Sequence, residues 1–205
     1  MAKPPPQLVM VRPNLTALPA VKLPSGYTLR TYRSGDRQAW NELMDAAFDW
    51  EKGHADFDKL MAADPCYRPE RIQLIADQEQ KLVATASAWI DPSFGPRAGM
   101  LHWVGTHPEH QGRGLGYQVS LAALHYTAAE GLGAMGLLTD DFRLPAVVTY
   151  LKMAFLPAPT DQTHPQRWRD ILHRLDWADR FDSVLAGPLL PKDQAADLLA
   201  ADQTT

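Results

Sequence analysis

The chain has 205 residues, with 20 basic and 24 acidic side chains and a formal charge of −4 at pH 7. At 45% apolar and 21% charged residues it has the profile of a soluble globular protein, not of a disordered or collagen-like one. The acidity weighs against a nucleic-acid binder, no apolar run is long enough for a membrane span, and a single cysteine, Cys66, excludes an intrachain disulfide and a cysteine-based zinc site.

Residues 1–24 hold six of the 17 prolines and read as an extended N-terminal arm. Within it, residues 8–11 (Leu8, Val9, Met10, Val11) would add a strand at a sheet edge, where Pro13 stops the pairing. No long apolar stretch follows the start, so a secretory leader is not expected and a cytoplasmic location is the default. Residues 27–33 alternate as a strand. Ser34, Gly35 and Asp36 supply a turn and an N-cap for a helix over 37–48, with Trp40, Leu43, Met44 and Ala47 on one face. A shorter helix is predicted over 54–62. Residues 71–76 and 81–90 read as a hairpin, followed by a loop marked by Pro92, Gly95 and Pro96, and then a strand over 100–106. Leu115, Val119, Ala122 and Tyr126 recur at helical spacing until Gly131 and Gly133 end the run. Residues 134–140 form another strand. Pro145 opens a helix running to 153, and a further helix is predicted over 166–175. The last 25 residues are sparse in large apolar groups and read as a docked appendage or a mobile segment. The pattern is mixed α/β.

The most informative stretch joins the strand ending at Thr106 to the helix beginning at Leu115. Glycines at 112, 114 and 116 let the backbone turn tightly and approach a ligand without Cβ clashes. The helix start behind them leaves amide N–H groups unpaired and carries partial positive charge. Together these make an anion site, most naturally for a pyrophosphate. A Walker loop would need Gly-Lys-Ser/Thr, which is absent, and the glycine spacing does not fit the dinucleotide fingerprint.

Gln111, Gly114 and Gly116 match the Q/R-x-x-G-x-G/A signature of the GCN5-related N-acetyltransferase (GNAT) family. Thirty residues on, Ala146, Tyr150, Lys152, Ala154 and Phe155 resemble that family's A-x-x-x-Y-x-K-x-G-F helix ending. The resemblance covers 25–157 and leaves 1–24 as an arm and 158–205 as a C-terminal helical extension. The groups Leu101, His102, Trp103 and His107, Pro108, Glu109, His110 resemble a bacterial branch of the family. The resemblance implies a mixed, mostly antiparallel central sheet flanked by helices. It also implies an acetyl-CoA-dependent N-acetyltransferase acting on the primary amine of a small molecule or peptide.

Residue by residue, the resemblance implies that the amides of Gly112, Arg113, Gly114, Leu115 and Gly116 hold the pyrophosphate of acetyl-CoA, with Gln111 closing the turn. The backbone of Val104, Gly105 and Thr106 would pair with the pantetheine arm, Gly105 being the expected bulge that splays the strand. Tyr150 would protonate the departing thiolate. Arg143, where the family often has Asn, and Lys152 would reach phosphates of the adenosine end or simply water. Ala154 replaces the family glycine, at a cost of about 1 kcal/mol if the position is left-handed.

His102 is the first candidate for the relay that takes a proton from the amine, because imidazole titrates near neutral pH; the alternative is a packed histidine bonded to a neighbour. The aromatic-amine branch of the family carries histidine at the matching place. Trp50 and Trp89 are candidate walls of an acceptor pocket. Trp103 alternates with His102 and is expected on the other side of the sheet, in the core. His107 and His110 lack a zinc-protease pattern, so no metal is expected. The expected partners are acetyl-CoA and an amine, with no nucleic acid or membrane; a homodimer follows only by family analogy. The alternative function is a non-catalytic acyl-CoA-binding sensor or interaction module on the same fold.

Overall fold

The computed structural model describes residues 5–202. The first four residues of the expected arm and the last three of the expected extension lie outside the described residues. In chain order the elements are β1 (Leu8–Arg12), β2 (Thr28–Thr31), α1 (Arg37–Phe48), β3 (Ile72–Ala76), β4 (Leu82–Trp89), β5 (Ala98–Thr106), α2 (Leu115–Ala129), β6 (Ala134–Thr139), α3 (Leu144–Lys152), β7 (Leu156–Pro157), α4 (His164–Arg174), α5 (Asp182–Ala186) and α6 (Ala195–Asp202). The fold is mixed α/β, and the strand pairs described below are antiparallel. The helix expected over 54–62 shrinks to one wide turn, Asp58–Ala62. Its lead-in is bonded elsewhere: the Ala55 N–H donates to Asp45 and the Phe57 N–H to Asn41, so that backbone is tied to α1.

The chain divides into two compact units that do not follow chain order. The first comprises Thr16–Ile90 and Met100–Gly131. Its strands run in the order β2, β3, β4, β5. All eight residues of β4 are buried, so both faces of this sheet are covered. On one face Trp40 of α1, wholly buried, donates its indole N–H to the Thr85 hydroxyl at 3.2 Å. On the other lies α2, whose second residue, Gly116, sits beside the hydroxyl of Thr106. The α2 face is broader than the four-residue stripe read from sequence: Leu121, Ala123 and Leu124 are also buried, and Tyr126 is half-buried.

The second unit comprises the described residues up to Leu15, Asp91–Gly99 and those from Leu132 on. Here β1 lies between β6 and β7, with Leu8, Val9, Met10 and Val11 all buried. The expectation of an edge strand is therefore corrected. Four consecutive apolar residues suit a strand covered on both faces, whereas an edge strand facing water alternates. The C-terminal segment is docked as far as it is described: Trp168, Ile171 and Leu172 of α4 and Ala196 and Leu199 of α6 are buried. The Leu190 N–H donates to the Pro159 carbonyl at 2.8 Å.

Candidate functional site

Strand β5 is irregular at its centre. Thr85 faces Gly105 and Ser87 faces His102, so one residue of β4, Ala86, opposes two of β5, Trp103 and Val104. This is a β-bulge, and Trp103 sits in it with a left-handed backbone, φ 47°. Gly105, the expected bulge, is regularly paired; its missing side chain instead lets α1 close in, because a Cβ there would lie 3.0 Å from the Ala47 methyl.

The extra residue shifts the alternation. His102 and Gly105 now share the face of Thr85 and Ser87, which is the face of α1. Trp103 points there too, with its ring centroid 5.9 Å from Phe48, 6.1 Å from Trp50 and 4.8 Å from His102. The expectation that Trp103 and His102 face opposite sides is thus overturned. The Trp103 indole N–H is buried and meets no acceptor among the described residues. Trp50 is half-buried and stacks at 4.8 Å on the exposed His54. Trp89 is 4% exposed, lies 6.2 Å from the His102 ring and donates its indole N–H to Asp64.

Past Thr106 the chain makes a short turn over Pro108–His110, then the glycine loop. Gly112 and Gly114 have φ of 75° and 77°, the left-handed region that glycine enters without steric cost. Residues 111–114 are exposed, and nothing lies within 4 Å of where a Cβ would stand at Gly112 or Gly114. Gly114 caps α2 with no side chain to offer, and the Gln118 N–H donates to its carbonyl. The amides of Leu115, Gly116 and Tyr117 precede that bond and belong to the unpaired first turn. The side-chain amide of Gln111 donates back to the Thr106 carbonyl at 3.4 Å and closes the turn. The loop is an open cradle of main-chain donors with the fit a pyrophosphate needs.

Sequence reasoning missed what stands beside this loop. Arg113 donates to the Tyr27 hydroxyl at 2.7 Å and to the Glu109 carbonyl at 3.3 Å. The Tyr27 hydroxyl lies 3.0 Å from His110 Nδ1. Together with Lys81 these side chains border a cavity of about 470 Å³. The tyrosine is 86 residues from the arginine in sequence, so no local pattern announced it. His107, Glu109 and His110 bring potential metal-ligating atoms within 4.8 Å of one another. His107 Nδ1, however, accepts from the Glu109 N–H, and burial followed by the nearby Lys81 holds that imidazole below its usual pKa.

Tyr150, Arg143 and Lys152 belong to the second unit. Pro145 stands in the first turn of α3, as expected. Tyr150 is buried near the end of that helix, 5.9 Å from Phe155. Desolvation pushes its phenol up to about 12, against a smaller opposing pull from Arg143. Arg143 is ion-paired with Asp140 at 3.2 Å. Lys152 is exposed in the last turn. Ala154 is left-handed at φ 59°.

Comparison with known proteins identifies the family and the fold. The family model described as acetyltransferase (GNAT) family matches residues 37–155. A mycothiol acetyltransferase of Nocardia farcinica is 32% identical over 151 residues, covering 70% of this chain and 50% of the relative. One of Paenarthrobacter aurescens is 34% identical over 156 residues, covering 72% of this chain and 48% of the relative. The chain therefore spans about half the length of these curated relatives. A crystal structure of a GCN5-related N-acetyltransferase from Sphaerobacter thermophilus shares the fold, with a TM-score of 0.57 at 20% identity over 75% of this chain and 49% of that one. Among the described residues no helix is long and apolar enough to cross a membrane.

Proposed function

This chain belongs to the acetyltransferase (GNAT) family, and on that premise we propose that it transfers the acetyl group of acetyl-CoA to the primary amine of a small molecule or peptide. The observation that carries the reading is the exposed, left-handed glycine loop opening α2, a built anion cradle at the end of a bulged strand. An acceptor of the mycothiol kind is the first to try, because the relatives at 32% and 34% identity carry the name mycothiol acetyltransferase.

Acetyl-CoA supplies an activated thioester. The amides of Gly112, Arg113, Gly114, Leu115 and Gly116 bind its pyrophosphate, and Gln111 keeps the turn closed. The backbone of Val104, Gly105 and Thr106 pairs with the pantetheine arm, and a main-chain N–H beside the bulge holds the developing oxyanion. His102 relays a proton from the incoming ammonium, leaving a neutral nitrogen to attack the acyl carbon. Trp50 walls the acceptor pocket. Trp89, nearly buried and bonded to Asp64, stands 6.2 Å from the His102 ring and lines the pocket on that side.

As the carbon–sulfur bond breaks, the sulfur needs a hydrogen-bond donor. The family resemblance assigns that role to Tyr150, which burial within its own unit holds protonated. A phenol near 12 is a weaker acid than a thiol at about 8.5, so Tyr150 stabilises the leaving sulfur by hydrogen bonding more than by outright release of its proton. The proton lost by the amine finally balances the thiol. The family resemblance assigns Lys152 to the adenosine-end phosphates. Arg143 joins it only by exchanging its Asp140 partner.

The test is calorimetric titration of the full chain with acetyl-CoA, followed by release of free thiol against a panel of amines. Binding with amine-dependent thiol release supports the proposal. Binding without release, for every amine, favours the sensor alternative, and no binding overturns both.

A further inference from the structure

We infer that Tyr27 is a positioning residue for the carrier's phosphates: it holds Arg113 over the glycine loop through a hydrogen-bonded chain that ends on His110. The inference rests on the function proposed above.

An exposed arginine loses about 2 kcal/mol of rotamer freedom when it is fixed on a ligand. Arg113 is exposed, yet it is already tied at two points. Its Nη1 donates to the Tyr27 hydroxyl at 2.7 Å, and its Nη2 donates to the Glu109 carbonyl at 3.3 Å. A guanidinium has five N–H donors, so three remain, arranged in the rigid fork that suits phosphate oxygens.

The tyrosine is itself oriented. Its hydroxyl oxygen accepts from Arg113 and makes a second hydrogen bond with His110 Nδ1 at 3.0 Å, so two partners fix its place. The two rings meet edge-on, with centroids 5.8 Å apart. Two of the three carboxylates bordering the same cavity, Asp77 and Glu109, are engaged elsewhere, and Glu79 is the third. Asp77 accepts the Glu79 and Lys81 N–H groups within its own hairpin turn, and the Glu109 carboxylate lies 3.9 Å from His107. The arginine is thus held beside the glycine loop before a ligand arrives, and binding a diphosphate with it costs less ordering than it would with a free side chain.

The test is a double-mutant cycle on acetyl-CoA affinity by calorimetry, with Tyr27→Phe, Arg113→Gln and the double variant. Phenylalanine keeps the ring packing and removes only the hydroxyl. Tyr27→Phe is expected to weaken binding by roughly three- to tenfold, the range of one ordinary net hydrogen bond lost from the support of the arginine. In the Arg113→Gln background the same change should have no effect. Under steady state the loss should fall on KM for acetyl-CoA and not on KM for the amine, which a merely structural role would not produce. Equal affinities for wild type and Tyr27→Phe, or the same loss with and without Arg113, would overturn the inference. Failure of the wild type to bind acetyl-CoA would instead overturn the proposed function.

Discussion

Strand β5 and the loop that follows it both depend on left-handed backbone, but they reach it differently. The loop does so at Gly112 and Gly114, where the conformation costs nothing, and the sequence declares it by residue type. The strand does so at Trp103, where a bulky side chain makes the same conformation cost about 1–2 kcal/mol. That cost is met by the surrounding rings of Trp40, Phe48, Trp50 and His102. The lesson is that a glycine turn advertises itself, while a bulge stabilised by packing is silent until the partners are in place.

Replacing Trp103 by glycine sharpens this comparison most. Backbone strain is relieved by about 1–2 kcal/mol, but the lost ring contacts of a large aromatic cost about 3–5 kcal/mol. The net expectation is a destabilisation of about 3 kcal/mol, read as a lower midpoint in thermal or denaturant unfolding. Trp103→Phe should lose less, because a ring remains in the cluster. A glycine variant more stable than the wild type would mean that strain, not packing, dominates at this position.

The second unit offers another silent position, the buried phenol of Tyr150. Its pKa is raised from about 10 in the unfolded chain to about 12. The neutral form is the one favoured by folding, so the associated stability is complete below pH 10 and is lost as pH rises from 10 to 12. Two pH units correspond to about 2–3 kcal/mol. Denaturant midpoints measured from pH 9 to 12 should fall in the wild type, and this component should disappear in Tyr150→Phe. Parallel curves for the two proteins would show that the phenol is not desolvated.

These cases mark what was legible in the sequence. Local signals were readable: the start of α1 at Arg37, the glycines ending α2, Pro145 opening α3, and the loop motif itself. Each of these depends on residue type at a fixed offset along the chain. The expected side-chain cap from Asp36 is absent, because its carboxylate accepts from Arg30 and the Arg33 N–H instead. What was not readable depends on distant partners. The burial of β1 between β6 and β7 requires a strand over a hundred residues later. The bulge at Trp103 requires the aromatic side chains of α1 and of the segment after it. The tether on Arg113 requires Tyr27, contributed by the segment just before β2. The hydrophobic run at residues 8–11 contained the signal for an internal strand, since it does not alternate; the neighbouring prolines diverted the reading to an edge.

A smaller effect tests the glycine side of the comparison. Gly114→Ala places a Cβ in open space, so no clash is introduced and only the backbone preference changes. The free loop is expected to relax away from the strained form, so that about 1 kcal/mol must be spent to restore it on binding, corresponding to roughly fivefold weaker acetyl-CoA binding. Calorimetry should record the weaker binding with little change in unfolding midpoint. An unchanged affinity would mean that the cradle does not need the left-handed form at this residue.

Ala154 joins the two sides of the comparison, because it is a left-handed position with a side chain and with open surroundings. The residue is exposed at φ 59°, immediately before the buried Phe155, whose N–H bonds back to the Tyr150 carbonyl at 3.0 Å. Unlike Trp103 it has no ring to repay the strain, and unlike Gly114 it is not exempt from it. Ala154→Gly should remove about 1 kcal/mol of strain, and the freer unfolded chain should take back part of that gain. The net expectation is a stabilisation of roughly 0.5 kcal/mol, observed as a small rise in the unfolding midpoint. A fall in the midpoint would mean that the methyl group contributes more by restricting the unfolded chain than it costs in the folded one, and that left-handed alanine is tolerated here for that reason.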